Sequence, residues 1–291
     1  MLPRPFDFVR AGSAGEASAI LAESDGAKVI AGGQSLVPMM SLGLVTPTCL
    51  VDITGLELDG VEVLGGLVRI GALTRHRELE RSAELRSVLP LAAEAAAVIG
   101  NPRVRNRGTF GGSLSHADPT AELCAVALAH GGRVSLEGPE GERSVEIEDF
   151  LIGYFETAAR QGELLTGAEL ALPSPGSGTA FVEIAERDGD FATAGAAVIL
   201  TLDEGRERCA AARVVVIGID GLPVRLAEVE ELCVGEAVTD SLLDAAAAIV
   251  ERVAMAEDDA FVSARHRVRC ARACTGRALR IAFERARGER Q

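Results

Sequence analysis

The 291-residue chain has no Trp, one Tyr and nine Phe, so its interior must be aliphatic and any aromatic facing a ligand is conspicuous. Six Cys, at 49, 124, 209, 233, 270 and 274, form none of the close CxxC pairs of zinc or iron-sulfur ligation. They read as reduced thiols. The four His (76, 116, 130 and 266) are scattered, and no metal site is expected. No run of about 18 apolar residues could span a bilayer, and "MLPRPFDFVRAGS" lacks the apolar core of a secretion signal. A cytoplasmic protein is expected. Positive charge is scarce too: the net charge is −14, and residues 261–291 hold nine Arg against two Glu, a net of +7 that leaves −21 on the rest. An acidic body repels nucleic acid, whose binding depends on neutralising phosphates. The basic tail is expected to form a solvated helix face or a docking surface.

With 48% hydrophobic and 25% charged residues, the composition is that of a folded protein of two or three packed units. Residues 14–24 have helical spacing, "AKVIA" is a short strand, a helix begins after Ser35 with Pro38 in its first turn, and "TCLVDI" is a buried strand. A second unit opens on a hairpin turning at Gly65-Gly66, followed by helical sequence divided at Pro90. "DPTAELCAVALAHGG" predicts a helix with Asp118 as N-cap, Pro119 at its first position and Gly131 past its end. "GRVSLEGPEGERSVEIEDF" predicts a further hairpin. The Pro, Gly and Ser of "LALPSPGSG" mark a linker, and beyond it strands and two helices suggest a sheet with helices on one face. The expected units are 1–57, 58–176 and 177–291.

Two glycine loops carry the chemistry. "KVIAGGQSLVPMM" runs from a strand into a helix, a setting in which successive amides form an anion-binding nest. It is neither GxGxxG nor GxxxxGK[ST], and alone it is equally a tight turn. A second loop, "RNRGTFGGSLSHADPTAEL", places Gly108, Thr109, Gly111, Gly112 and Ser113 ahead of another helix. Two such loops could supply amides and hydroxyls to both sides of a diphosphate.

These two stretches, with "RIGALTRHRELERS", "FETAARQGELLTGAEL" and "ERDGDFATAGAAVIL", resemble in order the FAD-binding medium subunits of molybdenum hydroxylases, among them the carbon monoxide and xanthine dehydrogenase flavoproteins. The resemblance runs nearly end to end. It implies an α+β chain: a two-unit FAD-binding domain of the vanillyl-alcohol-oxidase type, then a small C-terminal α+β domain. It also implies that Ile30, Ala31, Gly32, Gly33, Gln34 and Ser35, facing Thr109, Phe110, Gly111, Gly112 and Ser113, wrap the pyrophosphate and ribityl region of FAD. Ile99 and Leu165 align with apolar positions flanking the cofactor. Glu122 stands where the family usually has an Asp, suited to a hydroxyl or amino group of the adenosine portion.

Two positions depart from the family pattern. Glu183 occupies a place where the family often has a Lys, whose cation would stabilise the anionic reduced flavin, so the reversed sign lowers that stabilisation or forces another contact. "GELLTGAELALP" is about two residues longer than usual, which allows Leu164 to replace Leu165 at the flavin. Arg103, Arg105 and Arg107 read as a solvated edge, His116 as a loop histidine with an ordinary hydrogen bond, and Tyr154 as a core residue. Phe155 aligns with a family aromatic near the flavin.

The implied partners are a large subunit with a molybdenum cofactor and a small 2Fe-2S subunit. The expected role is electron transfer from the iron-sulfur partner through FAD to an external acceptor. The alternatives are a self-contained FAD-dependent oxidase and a flavin-free nucleotide-binding scaffold.

Overall fold

The structure, a computed structural model, describes residues 4–288. The first elements are β1 (Asp7–Arg10), α1 (Ala14–Glu23), β2 (Lys28–Ile30), α2 (Leu36–Leu42) and β3 (Cys49–Asp52). The strands form a parallel sheet in the order β1-β3-β2. All four residues of β3 are buried because it is central; all four of β1 are exposed, which is why "DFVR" gives no apolar pattern and goes unforeseen. Helix α2 starts after Ser35 and ends on left-handed Gly43, and Pro38 in the first turn removes an N–H that has no helical partner.

The second group comprises β4 (Val61–Leu64), β5 (Leu67–Gly71), α3 (His76–Arg81), α4 (Ala83–Val88), α5 (Pro90–Val98), α6 (Pro102–Arg105), α7 (Phe110–His116) and α8 (Glu122–His130). It continues through β6 (Gly132–Gly138), β7 (Gly141–Glu146), α9 (Ile147–Phe150), β8 (Leu151–Gly153), β9 (Glu156–Thr157) and β10 (Leu164–Ala171). Here the sheet is antiparallel, in the order β4-β5-β10-β6-β7. Both glycines of the Gly65-Gly66 turn have positive φ, as a tight hairpin requires. From Leu123 to His130 every residue of α8 is buried, the signature of a helix apolar all round.

That helix begins later than the sequence suggests. Asp118 does not cap it: its carboxylate accepts from the Thr120 N–H at 2.8 Å and the Thr120 hydroxyl at 2.7 Å, a side-chain-closed turn that competes with helix initiation. Glu122 therefore becomes the first helical residue.

The last group is β11 (Ser177–Ala185), β12 (Ala192–Leu202), β13 (Cys209–Ile217), β14 (Val224–Arg225), α10 (Ala227–Cys233), α11 (Asp240–Ala248), α12 (Val250–Val253) and α13 (Ala264–Arg287). An antiparallel sheet β11-β12-β13-β14 carries α13 across β11 and β12. Alternation along β12 and β13 explains how this sheet joins the rest of the molecule. Ala194, Ala196, Val198, Val214 and Val216 point into the core shared with α13. Ala197, Ile199, Val215 and Ile217 point into the core containing α5 and α8. With side chains alternating between faces, both faces of the sheet are apolar and buried.

Candidate functional site

The two glycine loops meet. Gly32 has ordinary backbone geometry, but a Cβ there would lie 2.3 Å from the Arg107 carbonyl oxygen and 2.9 Å from the Gly108 Cα. Its bareness therefore serves the contact with the second loop, a different reason from the close approach of a ligand that the sequence suggests. The same Arg107 carbonyl accepts from the Arg75 guanidinium, which fixes the junction. Gly33 has φ +71, a conformation that favours glycine.

Along the first loop, the N–H groups of Gly32, Gly33, Gln34 and Ser35 donate to no acceptor among the described residues. The Ser35 hydroxyl caps nothing either, although Ser35 precedes α2. Gly32 is buried and Gly33 and Ser35 are half-buried, where amides without acceptors are uncommon, and with the exposed Gln34 they make a row suited to an oxygen-rich ligand. Ile30 ends β2, and its carbonyl accepts from Ile53. Ala31 packs on the small core of the first unit.

The second loop is wired differently. Phe110 N–H donates to Thr74, Gly111 N–H to Ala72, and Ser113 N–H to Thr109, at 2.9–3.1 Å, while Gly112 N–H donates to the Thr109 hydroxyl at 3.1 Å. The two loops therefore do not offer equal rows of amides. The second loop spends the N–H groups of residues 110–113 on its own surroundings and leaves the Thr109 N–H and the hydroxyls of Thr109 and Ser113. Phe110 is fully buried, and a Cβ on Gly111 would lie 2.6 Å from that of Ala72, so both residues anchor the loop to the end of β5. Ala72 N–H in turn donates to Thr166 at the bulge that follows Leu165.

Leu164 and Leu165 sit on opposite sides of β10. Leu164 joins the core of the first unit and Leu165 that of the second. Ile99 closes α5 in a turn that the β11–β12 loop touches, Gly189 lying against Gly100. Arg105 belongs to the same turn rather than to a solvated edge: it bonds the carbonyls of Ile99 and Gly100 and the Glu80 carboxylate, at 2.9–3.1 Å.

Glu122 and Glu183 lie 61 positions apart in sequence, but the fold brings their carboxyls into one electrostatic environment. Glu183 shares a face of its sheet with Phe181, which packs on the second unit's core, and Gly195 opposite it leaves room for its stem. Burial, then the nearby Glu183 and Asp118, push the Glu122 carboxyl up to about 8 against the help of its own N–H, and burial pushes Glu183 up to about 7. Both residues are densely surrounded yet keep part of their surface accessible. One oxygen of Glu183, Oε2, is buried without a hydrogen-bond partner. A carboxyl kept neutral here can both donate and accept, and the orphaned oxygen calls for a polar ligand atom.

His76, a contributor that the sequence alone did not single out, lies behind the second loop. Its Nε2 is 3.0 Å from the Thr109 carbonyl oxygen and 3.1 Å from the Ser113 hydroxyl. The spacing of "RHREL" carries no signal for this. His116 ends α7 and has a ring contact with Phe155 at 4.7 Å, with no hydrogen bond among the described residues. Tyr154 is 66% exposed and so is not a core residue; it stands edge-on to Phe155. No cluster of His, Cys, Asp and Glu able to hold a metal occurs among the described residues, and no helix there is long and apolar enough to cross a membrane.

Comparison with known proteins gives a consistent result. Residues 4–175 match the family described as FAD binding domain in molybdopterin dehydrogenase, and residues 179–282 the CO dehydrogenase flavoprotein C-terminal domain. The chain is 38% identical over 289 residues to the 6-hydroxypseudooxynicotine dehydrogenase complex subunit alpha of Paenarthrobacter nicotinovorans, covering 99% of this chain and 97% of that one. It is 35% identical to the carbon monoxide dehydrogenase medium chain of Afipia carboxidovorans, covering 99% and 98%. Among solved structures, a chain of carbon monoxide dehydrogenase from Hydrogenophaga pseudoflava superposes with a TM-score of 0.94 at 34% identity, covering 98% of this chain and 99% of that one.

Proposed function

The chain belongs to the family of FAD-binding medium subunits of molybdenum hydroxylases, and from that premise we propose that it carries electrons through FAD from an iron-sulfur partner to an external acceptor. The observation that carries this reading is the row of unpaired amides from Gly32 to Ser35, held against the second loop where Gly32 lies on Arg107. A pyrophosphate needs many donors. Four amides with the Ser35 hydroxyl on one side, and the Thr109 and Ser113 hydroxyls on the other, supply them without a lysine or a metal.

The orphaned Oε2 of Glu183 beside Glu122 fits the same ligand, since a protonated carboxyl matches adjacent donor and acceptor atoms on a ring edge or sugar. Burial bears on the charge that Glu183 carries in place of the family's Lys. With its carboxyl pushed up to about 7, Glu183 is only partly ionised near neutral pH, so it presents less than a full negative charge to the cofactor while providing no cation. Ile99, Leu164 and Leu165 are apolar neighbours suited to exclude water. When bound, FAD would supply the redox chemistry, taking electrons singly and releasing them in pairs. This chain's residues bind, orient and shield it. The units 1–57, 58–176 and 177–291 belong to this reading, as do a molybdenum-cofactor large subunit and a 2Fe-2S small subunit as partners.

The visible spectrum of the purified chain tests it. A yellow chain, or one that becomes yellow and stays so after FAD addition and desalting, is expected, with two partner subunits copurifying from the native host. A chain that takes up no FAD overturns the reading. A yellow chain that oxidises small substrates alone points to a self-contained oxidase.

A further inference from the structure

The hydrogen bonds around His76 fix more than the ring. Nε2 lies 3.0 Å from the Thr109 carbonyl oxygen, which can only accept, so the ring proton is on Nε2. The same N–H is shared with the Ser113 oxygen at 3.1 Å. Ser113 therefore accepts from the ring, and its own proton is not spent there. A helical serine usually turns that proton back on a carbonyl one turn earlier. Here the carbonyl one turn back belongs to Thr109, which already accepts the Ser113 N–H at 3.1 Å and the His76 N–H, and no bond from the Ser113 hydroxyl to it occurs. Ser113 is half-buried, and Gly112 beside it is exposed, so the open direction is away from His76.

The other ring nitrogen, Nδ1, is buried without a partner against the Gly108 backbone, where a Cβ would stand 2.8 Å away. A proton there would be a buried charge with no acceptor, facing the cations of Arg75 and Arg105, and burial accordingly holds the ring down to about 4.

We infer that His76, as the Nε2–H tautomer, is a positioning residue that turns the Ser113 hydroxyl proton outward, toward the phosphate of the ligand between the two loops. The inference rests on the reading of those loops as the FAD cradle. A purely structural role would seat Thr109 and leave Ser113 uninvolved.

Three variants separate these roles, and one spectrum tests the tautomer on which the inference stands. His76→Phe removes the donor, His76→Gln returns an N–H at similar reach, and Ser113→Ala removes the hydroxyl. FAD dissociation constants are measured by flavin fluorescence on the full chain. His76→Phe and Ser113→Ala are each expected to weaken FAD binding roughly tenfold, the worth of a hydrogen bond to a charged acceptor, and the double variant no more than either alone. His76→Gln should recover most of the loss. Losses that multiply in the double variant, or a Gln variant as weak as Phe, overturn the inference. If His76→Phe does not fold, Ser113→Ala and His76→Gln still carry the comparison: unchanged affinity in Ser113→Ala overturns the inference, as does an Nδ1–H or doubly protonated ring at neutral pH in histidine-labelled 15N spectra of the unaltered chain. Failure of the unaltered chain to take up FAD would sink the cradle itself, a result distinct from any of these.

Discussion

Loop 31–35 and loop 109–113 look alike as text, each with Gly-Gly followed by Ser within two residues. In three dimensions they are complementary. The first leaves four successive N–H groups without acceptors among the described residues, whereas the second leaves only that of Thr109 and spends the other four on Thr74, Ala72 and Thr109. The first can give backbone donors because Gly32 is braced from outside, by Arg107. The second is rigid from within and gives hydroxyls, with His76 behind it. Their glycines also differ: Gly33 answers to backbone conformation, while Gly32 and Gly111 answer to the closeness of a neighbouring segment. Titration separates the loops further. Residues 30–35 contain no ionisable side chain, whereas His76 and the Glu122–Glu183 pair both adjoin the second loop or the helix after it.

The strongest test of this contrast is Gly32→Val. Its side chain would run into backbone on the second loop, which cannot swing away as a side-chain end can. A stability loss of about 1–3 kcal/mol in urea unfolding is expected, together with loss of retained flavin. Unchanged flavin content would show that the loops are not braced at that point.

The next effect is electrostatic. Both Glu122 and Glu183 have folded pKa values above the ordinary 4.5, so their contribution is fully present below that value and is lost as the pH rises through about 7 and 8. His76 works in the opposite sense, losing its contribution as the pH falls from 6.5 through about 4. The slopes oppose one another between 4.5 and 6.5, and above 6.5 that of the glutamates remains. The flavin-free chain should therefore lose stability from pH 6.5 to 8. Glu122→Gln, which cannot ionise, should flatten that loss by about 1 kcal/mol, the worth of roughly one pKa unit, as read from urea midpoints at the two pH values. A Gln variant as alkali-sensitive as the parent would separate the pair from the effect.

The smallest effect is expected from Thr109→Val, which keeps the shape and removes the cap of α7. About 1 kcal/mol of stability should go, with FAD binding weakened through the lost hydroxyl. An equal loss of stability with unchanged affinity would assign Thr109 to the loop's own architecture alone.

Much of the fold is legible locally. The hairpin at Gly65-Gly66, the break at Pro90, the helix after Ser35 and the β6–β7 hairpin each depend on a few consecutive residues, and the structure has them. Strand β1 was not legible because its exposed residues have no alternation to read, and the start of α8 was misread because Asp118 makes two local bonds that a cap would forgo. At the candidate site, the glycine loops announce themselves, but the amides they keep or spend do not. Tyr154 shows the same limit: an aromatic in an apolar stretch reads as core until its neighbours are known.

By itself the sequence determined the two glycine loops, the strand and helix that flank the first, and, through their order along the chain, the family and its cofactor. Local chemistry suffices there, because a glycine turn or a cap is a matter of adjacent residues. Tertiary structure decided that Gly32 lies on Arg107, that His76 holds Thr109 and Ser113, and that Glu122 meets the field of Glu183. Those contacts join residues 33 to 75 positions apart, and only packing of separate elements can set a hydrogen-bond distance or bury a charge across such a separation.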